Sequence, residues 1–233
     1  MELRVNNVTA GYGDITVLRD VSIRVPTGEI LGVLGRNGMG KTTLIGTIAG
    51  LIKPTSGSIQ LDGQDITRLP PHERARRGIT TVVQGRGIFP FLTVGENLEM
   101  GRIAAGRAKR SRIDEVLHYF PRLAERLHQP AGTMSGGEQQ MVAIGRGLMT
   151  DPTIMLLDEP SDGIMPVLVK QIAEILVEIN RRETMTIIIV EQNVPMVFSM
   201  SKHCVILEKG GVVAEGSSDD LAGTQIMQEH LAI

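Results

Sequence analysis

Eight consecutive residues, Gly35 to Thr42, read GRNGMGKT, and their types and spacing suit a phosphate group. Gly35, Gly38 and Gly40 let backbone N–H groups curl around phosphate oxygens, the Lys41 ammonium neutralises charge on the β- and γ-phosphates, and the Thr42 hydroxyl can bind Mg²⁺. The pattern G-x4-G-K-[ST] stands between an apolar run, EILGVLG, and a helical stretch, KTTLIGTIAGL. That strand-loop-helix order argues for nucleotide binding over a flexible glycine turn, and the helix beginning near Lys41 adds the positive end of its dipole. A second run, IMLLDEP from Ile154 to Pro160, ends an apolar strand in two carboxylates. Asp158 is expected to hold Mg²⁺ through water, and Glu159 to accept a proton from an attacking water. Alone, this run would read as a strand end carrying surface acids. Beside the glycine loop it reads as the hydrolytic half of one site.

A third run, MSGGEQQ from Met134 to Gln140, places Ser135 and Glu138 at capping-box spacing and leaves the amides of Gly136 and Gly137 uncovered at a helix start. Such a start is either an ordinary capped helix or an anion site. A second anion site in a chain with one nucleotide loop suggests service to another subunit's nucleotide. A fourth run is IIIVEQN, where Ile187 to Val190 suit a strand covered on both faces that delivers Glu191, Gln192 and Asn193 at its carboxyl end.

These groups need a frame, and the pattern supplies one. The first 28 residues alternate apolar and polar side chains, with Val21, Ile23 and Val25 against Ser22 and Arg24, which predicts an antiparallel layer with one buried face. From Glu29 the pattern changes to short buried runs: residues 29–35, ITTVV at 79–83, TIMLLD at 153–158 and MTIIIV at 185–190. Helical stretches separate several of them, the mark of a parallel α/β sheet. Residues from Thr93 to about Arg126 are helical in pattern and open on Thr93 and Glu96, again at capping-box spacing. The expected architecture is a single α/β domain over residues 1–233, with a helical subdomain at about 86–150 inserted in the core. HCVILEKGGVVAEG predicts a hairpin turning at Gly210-Gly211, followed by a short helical tail.

Composition narrows the function classes. The chain has 233 residues, 42% hydrophobic and 21% charged, enough to bury a core. A net charge of −2 argues against a general polyanion binder, so no nucleic-acid partner is expected. The single Cys204 excludes an internal disulfide and reads as a small buried hydrophobe. No start resembles a signal peptide, and no apolar run approaches the roughly 18 residues that span a bilayer; a soluble, cytoplasmic protein is expected. Arg102, Arg107, Lys109, Arg110 and Arg112 form a basic cluster that reads as a solvated face or a contact surface.

From about Tyr12 to Gly216 the chain resembles the ATP-binding cassette (ABC) ATPases, and its motifs stand in that family's order: Tyr12, the phosphate loop, Gln84 in VVQGR, MSGGEQQ, IMLLDE and SDGIMP. The resemblance implies a phosphate-loop NTPase core that binds ATP and Mg²⁺. Tyr12 would stack on adenine with Val17 packed beside it. The loop residues Gly35, Arg36, Asn37, Gly38, Met39, Gly40, Lys41, Thr42 and Thr43 would enclose the phosphates. Thr42, Gln84 and Asp158 would serve Mg²⁺, and Gln84 would also sense a membrane partner. It implies a head-to-tail dimer with the same or a homologous chain, each ATP lying between one phosphate loop and the other chain's Ser135, Gly136 and Gly137.

Two positions depart from the family. Met134 stands where leucine is usual, a volume-conserving swap. Gln192 stands where most members carry a histidine that contacts the γ-phosphate; glutamine donates a hydrogen bond but cannot become a cation, which puts the hydrolytic rate in question and leaves binding intact. VEQN, with GRNGMGKTT, QGRGIFPFLTVGENL and DEPSDGIMP, is similar to the second ATPase of branched-chain amino acid importers, and also to urea or short-amide importer subunits. A soluble cluster-assembly ATPase is a rival of another class. An importer subunit would sit peripherally on the cytoplasmic face of the inner or plasma membrane, bound to two permease subunits and indirectly to a solute-binding protein. Phe89 and Phe91 would then line the groove that receives a cytoplasmic helix of the membrane subunit; their other reading is as plugs at the base of a subdomain.

Overall fold

The early alternation becomes two long antiparallel strands in the computed structural model, which describes residues 1–104, 111–222, 224 and 231. Strand β1 (Leu3–Tyr12) buries Leu3, Val5, Val8 and Ala10, and β2 (Ile15–Val25) buries Leu18, Val21, Ile23 and Val25. The step from Val5 to Val8 breaks a strict period of two. A register irregularity there, with Asn7 at a φ of 48°, returns Val8 to the buried face. β1 also pairs with β4 (Pro54–Leu61), and β4 pairs with β5 (Gln64–Asp65), giving the order β2-β1-β4-β5. The antiparallel layer is therefore larger than the first 28 residues suggested. Its added strand, PTSGSIQL, is too rich in Ser and Gly to announce itself as one.

The second sheet has the order β10-β9-β3-β8-β7-β6. Strands β3 (Ile30–Leu34), β6 (Ile79–Val82), β7 (Ile154–Asp158), β8 (Thr186–Glu191) and β9 (His203–Glu208) run parallel; β10 (Gly211–Ser217) closes one edge antiparallel to β9. β3, β7 and β8 are buried along their whole lengths, as their unbroken apolar runs require. Alternate side chains feed two cores. Leu31, Val33, Ile154, Leu156, Ile188 and Val190 pack with α1 (Lys41–Ala49) and the first sheet. Met155, Leu157, Ile187 and Ile189 pack with α6 (Gly136–Leu148) and α7 (Pro166–Glu183). Each fully buried side chain of this size contributes about 1.5–3 kcal/mol.

Between β6 and β7 lie α3 (Val94–Ala104), α4 (Ile113–Tyr119), α5 (Pro121–Ala124), a 3₁₀ turn at Ala131–Thr133 and α6. Both capping boxes form. Thr93 N–H donates to Glu96 Oε2 at 2.7 Å while Glu96 N–H returns to Thr93 Oγ1 at 3.2 Å; Ser135 and Glu138 do the same at α6. The basic cluster departs from a solvated face. Arg112 is 4% exposed and pairs with Glu115 and Glu183, binding α4 to the end of α7. Arg102 pairs with Glu99 on its own helix, and Arg107, Lys109 and Arg110 lie outside the described residues.

Two helices were not legible in the pattern: α2 (Pro71–Arg76), four polar or charged residues with one proline and one alanine, and α8 (Val194–Met200), which Asn193 caps by accepting from Met196 N–H. α2 matters to α1 through Arg74. That side chain is 1% exposed and donates to the carbonyls of Thr47, Ile48, Thr67 and Leu69. Two of these belong to the last turn of α1, whose C-terminal carbonyls have no partner within the helix. Burial pushes the Arg74 pKa down to about 10, so the guanidinium remains a cation at neutral pH. The hairpin after β9 turns at Lys209-Gly210, and α9 (Ser218–Leu221) follows β10. Cys204 is buried against Ser201, and burial raises its thiol pKa, in keeping with an inert hydrophobe.

Candidate active site

The carboxyl ends of β3, β7 and β8 bring three of the four sequence runs, the phosphate loop, IMLLDEP and IIIVEQN, to one edge of the sheet. After β3 the chain passes under β9 so closely that a Cβ at Gly35 would lie 2.6 Å from the Leu207 carbonyl oxygen. Gly38 and Gly40 hold φ values of 80° and 107°, and a Cβ at Gly38 would meet nothing within 4 Å. The loop is thus open at Gly38 and fastened at its ends. Gly210 N–H donates to the Met39 carbonyl at 3.1 Å, while the Gly210 carbonyl accepts from Arg19 N–H at 2.8 Å. No side chain fits at Gly210, where a Cβ would be 1.7 Å from the Val17 carbonyl oxygen.

Lys41 is buried and reaches back over the loop, donating to the carbonyls of Gly35 at 2.7 Å and Arg36 at 3.1 Å. Its third partner is Glu159 Oε1 at 2.9 Å. Glu159 Oε2 accepts from Gln84 Nε2 at 3.1 Å, and the same amide lies 3.4 Å from Asp162 Oδ2. Glu159 holds a left-handed φ of 45° while its N–H remains on the Val190 carbonyl at 2.9 Å. Strained backbone of this kind gathers at functional sites. Beside it, Thr42 Oγ1 donates to Asp158 Oδ1 at 3.2 Å. Burial, with the nearby Glu159 and Glu191 charges, raises the Asp158 pKa against the opposing pull of Thr42 and Lys41.

The donor set fits a hard cation. A hydroxyl, a carboxylate and a nearby amide supply oxygen ligands, and Mg²⁺ characteristically takes one or two protein carboxylates and keeps water and phosphate oxygens for the rest. Among the described residues no three His, Cys, Asp or Glu side chains gather as a metal cage, which such a phosphate-shared site does not need.

Val17, Asn37, Gly38, Gly40, Lys41, Thr42, Thr43, Gln84 and Glu159 line one cavity of about 310 Å³. Gly35, Arg36 and Met39 stand behind it in the loop. Tyr12 is not in the lining; it is 54% exposed at the tip of the β1-β2 hairpin, paired with Ile15. Gln192 is exposed past the end of β8, and its N–H donates to Glu191. Ser135, Gly136 and Gly137 start α6 away from this cavity. A larger cavity of about 630 Å³ opens at the opposite, amino ends of β6 and β7. Its Arg112 and Glu183 satisfy each other, whereas the smaller cavity has the glycine loop and a helix start turned to it.

Sequence reading assigned no role to three side chains here. Glu191 is buried and accepts from the N–H groups of Ser161, Gln192 and Asn193, pinning the loop after β7 to the end of β8. Asp162 supports Gln84, and Arg86 follows it in the same turn. Only the acidic character of Glu191 and Asp162 within polar strand ends could have marked them.

A family model described as ABC transporter matches residues 18–162, spanning the glycine loop, Gln84, the α6 start and both carboxylates. The chain belongs to the ABC transporter family. This ABC ATPase is 45% identical over 212 residues to the high-affinity branched-chain amino acid transport ATP-binding protein BraG of Pseudomonas aeruginosa, covering 91% of each chain. Among solved structures it is similar to the ADP conformation of the ATP-binding cassette MJ1267, with a TM-score of 0.86, 30% identity and 98% of each chain covered. A dimeric post-hydrolysis state of the cassette MJ0796, bound to ADP and phosphate, gives 0.83 at 27% identity over 93% of this chain and 98% of that one. The ABC ATPase binds nucleotide, hydrolyses ATP and powers a membrane importer, and its α/β architecture with an antiparallel β layer is that of a cassette. Among the described residues no helix is long and apolar enough to cross a membrane.

Proposed function

We propose that this chain hydrolyses Mg-ATP to drive import of branched-chain amino acids, docked peripherally on the cytoplasmic face of a membrane against two permease subunits fed by a solute-binding protein. The observation that carries the reading is the convergence of Lys41, Thr42, Gln84, Asp158 and Glu159 on one cavity edge; the 45% identity to BraG supports the class of solute.

Amides of the Gly38–Thr43 segment and Lys41 receive the phosphates. Thr42, Asp158 and Gln84 would hold Mg²⁺, which when bound would supply positive charge to offset that of the phosphates. Glu159 takes the proton of an attacking water as its oxygen bonds to the γ-phosphorus and the bond to the β-phosphate oxygen breaks, leaving ADP and phosphate. Tyr12 and Val17 flank the adenine. Ser135, Gly136 and Gly137 complete the site of a second cassette, identical or homologous, and Gln192 lies at the edge of the closed pair. The segment at about 86–150 acts as a helical subdomain.

Asp158→Asn is expected to remove Mg²⁺-dependent tightening of ATP while leaving the nucleotide-free chain as stable or more so, because a neutral amide replaces a carboxylate that is buried and stands near other acids. Isothermal titration with and without Mg²⁺, beside a melting curve, checks both halves. A variant that keeps the Mg²⁺ effect would remove Asp158 from the metal site.

The membrane contact is assigned to the surface around Phe91, which is 95% exposed, and Phe89, whose ring lies 5.2 Å from the Arg146 guanidinium. Met100, Gly101, Ala143 and Arg146 line a cavity of about 290 Å³ with Phe89, a receptacle for a short helix. In proteoliposomes holding the whole transporter, ATP-driven leucine uptake is expected. Phe91→Ala is expected to abolish that uptake while the chain keeps its ATP affinity. Uptake of urea in place of leucine would move the solute class, and full uptake with Phe91→Ala would move the docking surface.

A further inference from the structure

Arg86 stands out for what its conformation costs. It is a non-glycine residue at a φ of 70°, and its Nε, buried, has no hydrogen-bond partner among the described residues. Left-handed backbone costs on the order of 1–2 kcal/mol in an L-residue, and an unpaired buried donor is rarer still in native proteins. Something else must hold the side chain there.

The contacts supply it. Arg86 belongs to the tight turn that carries Gln84, closed by Arg86 N–H on the Val83 carbonyl at 3.2 Å and Gly87 N–H on the Gly85 carbonyl at 2.8 Å. Its Nη1 donates to Gln139 Oε1 at 3.1 Å. Gln139 uses its own amide to hold the chain just before Ser135, donating to the carbonyls of Met134 at 3.1 Å and Gly132 at 3.3 Å. The guanidinium also lies flush against the first residue of α6: a Cβ at Gly136 would be 2.8 Å from Arg86 Nη2 and 3.3 Å from its Cζ. Gly136 is glycine at least partly because the arginine occupies that space. From the other side, Gly163 follows Asp162, which Gln84 also touches, and a Cβ at Gly163 would be 3.6 Å from the same nitrogen.

We propose that Arg86 is a positioning residue that fastens the turn of Gln84 to the start of α6 through Gln139, so that the two half-sites carried by one chain move as one piece. This rests on the reading that Ser135 to Gly137 serve the partner's nucleotide. Nucleotide entering the phosphate loop must share Lys41 and Glu159, and Glu159 is the group that Gln84 holds. Displacement of Gln84 turns the loop, Arg86 carries the turn to Gln139, and Gln139 shifts the backbone that presents Ser135. One site thereby adjusts the half-site offered to the other.

Hydrogen exchange on the full chain, dilute enough to be monomeric, tests this with Mg-ATP as the probe. The nucleotide is expected to change exchange both at 83–87 and at 134–139. In Arg86→Met and in Gln139→Leu, which removes the relay while leaving the arginine, the change at 83–87 is expected to persist and the change at 134–139 to be lost, with affinity for a fluorescent ATP analogue unchanged. A response at 134–139 that survives both variants, or is missing in the parent chain, overturns the relay. The underlying reading fails separately: Ser135→Arg would then leave turnover of the assembled transporter intact whatever the exchange pattern.

Discussion

Glu159→Gln is expected to stop turnover and, at the same time, to tighten ATP. Among the described residues the carboxylate is the one proton acceptor in the cavity lining that also reaches Lys41 and Gln84, and a positioned general base contributes about 10²–10⁴ in rate. The gain in affinity follows from the ion pair. Without nucleotide, Lys41 is neutralised by Glu159 at 2.9 Å, with both side chains buried, so phosphate must compete with a carboxylate for the ammonium. Glutamine keeps the shape and removes the competitor. A tightening of about tenfold corresponds to about 1.4 kcal/mol, modest against the several kcal/mol that separate a buried charge from its partner. Phosphate release and titration with a fluorescent ATP analogue measure the two effects. Turnover within tenfold of the parent would take the base role from Glu159; weaker binding would mean that it holds Lys41 in place for phosphate instead of competing with it.

The largest effect on stability is expected at Arg74, far from the acids. Arg74→Met leaves the carbonyls of Thr47, Ile48, Thr67 and Leu69 without their buried donor. Replacing a whole buried ion pair by apolar groups is often neutral, but here the acceptors are backbone and stay behind. A loss of about 3–5 kcal/mol is expected, read as a lower midpoint in urea unfolding with an unchanged slope. Arg76→Met, on the exposed side of the same helix, is the control and should shift stability by no more than about 0.5 kcal/mol. Because α1 runs from the phosphate loop to this clamp, ATP affinity is expected to fall with the midpoint. If Arg74→Met unfolds with the control, the last turn of α1 finds its partners elsewhere.

What the sequence made legible depended on whether a residue's role is local. β7 and β8 could be read because strands buried on both faces need an unbroken apolar run, and the phosphate loop because its glycines, lysine and threonine serve one ligand within eight positions. The two capping boxes are local as well, and both formed. Arg74 and Arg112 were opaque for the opposite reason. Their partners lie far along the chain, at Thr47 and Glu183, and a charge in a polar stretch reads as solvated until the packing around it is known. The reading of β4 failed on composition: its serines and glycine suit an exposed layer better than a core. Tyr12 and Gln192 share another difficulty. The first sits at a hairpin tip and the second past a strand end, both exposed, and their expected roles belong to a nucleotide and a second chain.

The junction at Gly210 joins three stretches of chain that are remote in sequence: Val17 and Arg19 on the β1-β2 hairpin, Met39 in the phosphate loop, and the β9-β10 turn. One cavity wall and the loop's back are therefore braced by a turn made long after either of them. A polypeptide emerging from the ribosome carries GRNGMGKT before its brace, which arrives only when residue 210 has cleared the exit tunnel. Nucleotide capture therefore waits on the β9-β10 turn, and a chain interrupted before β10 has the motif without the grip.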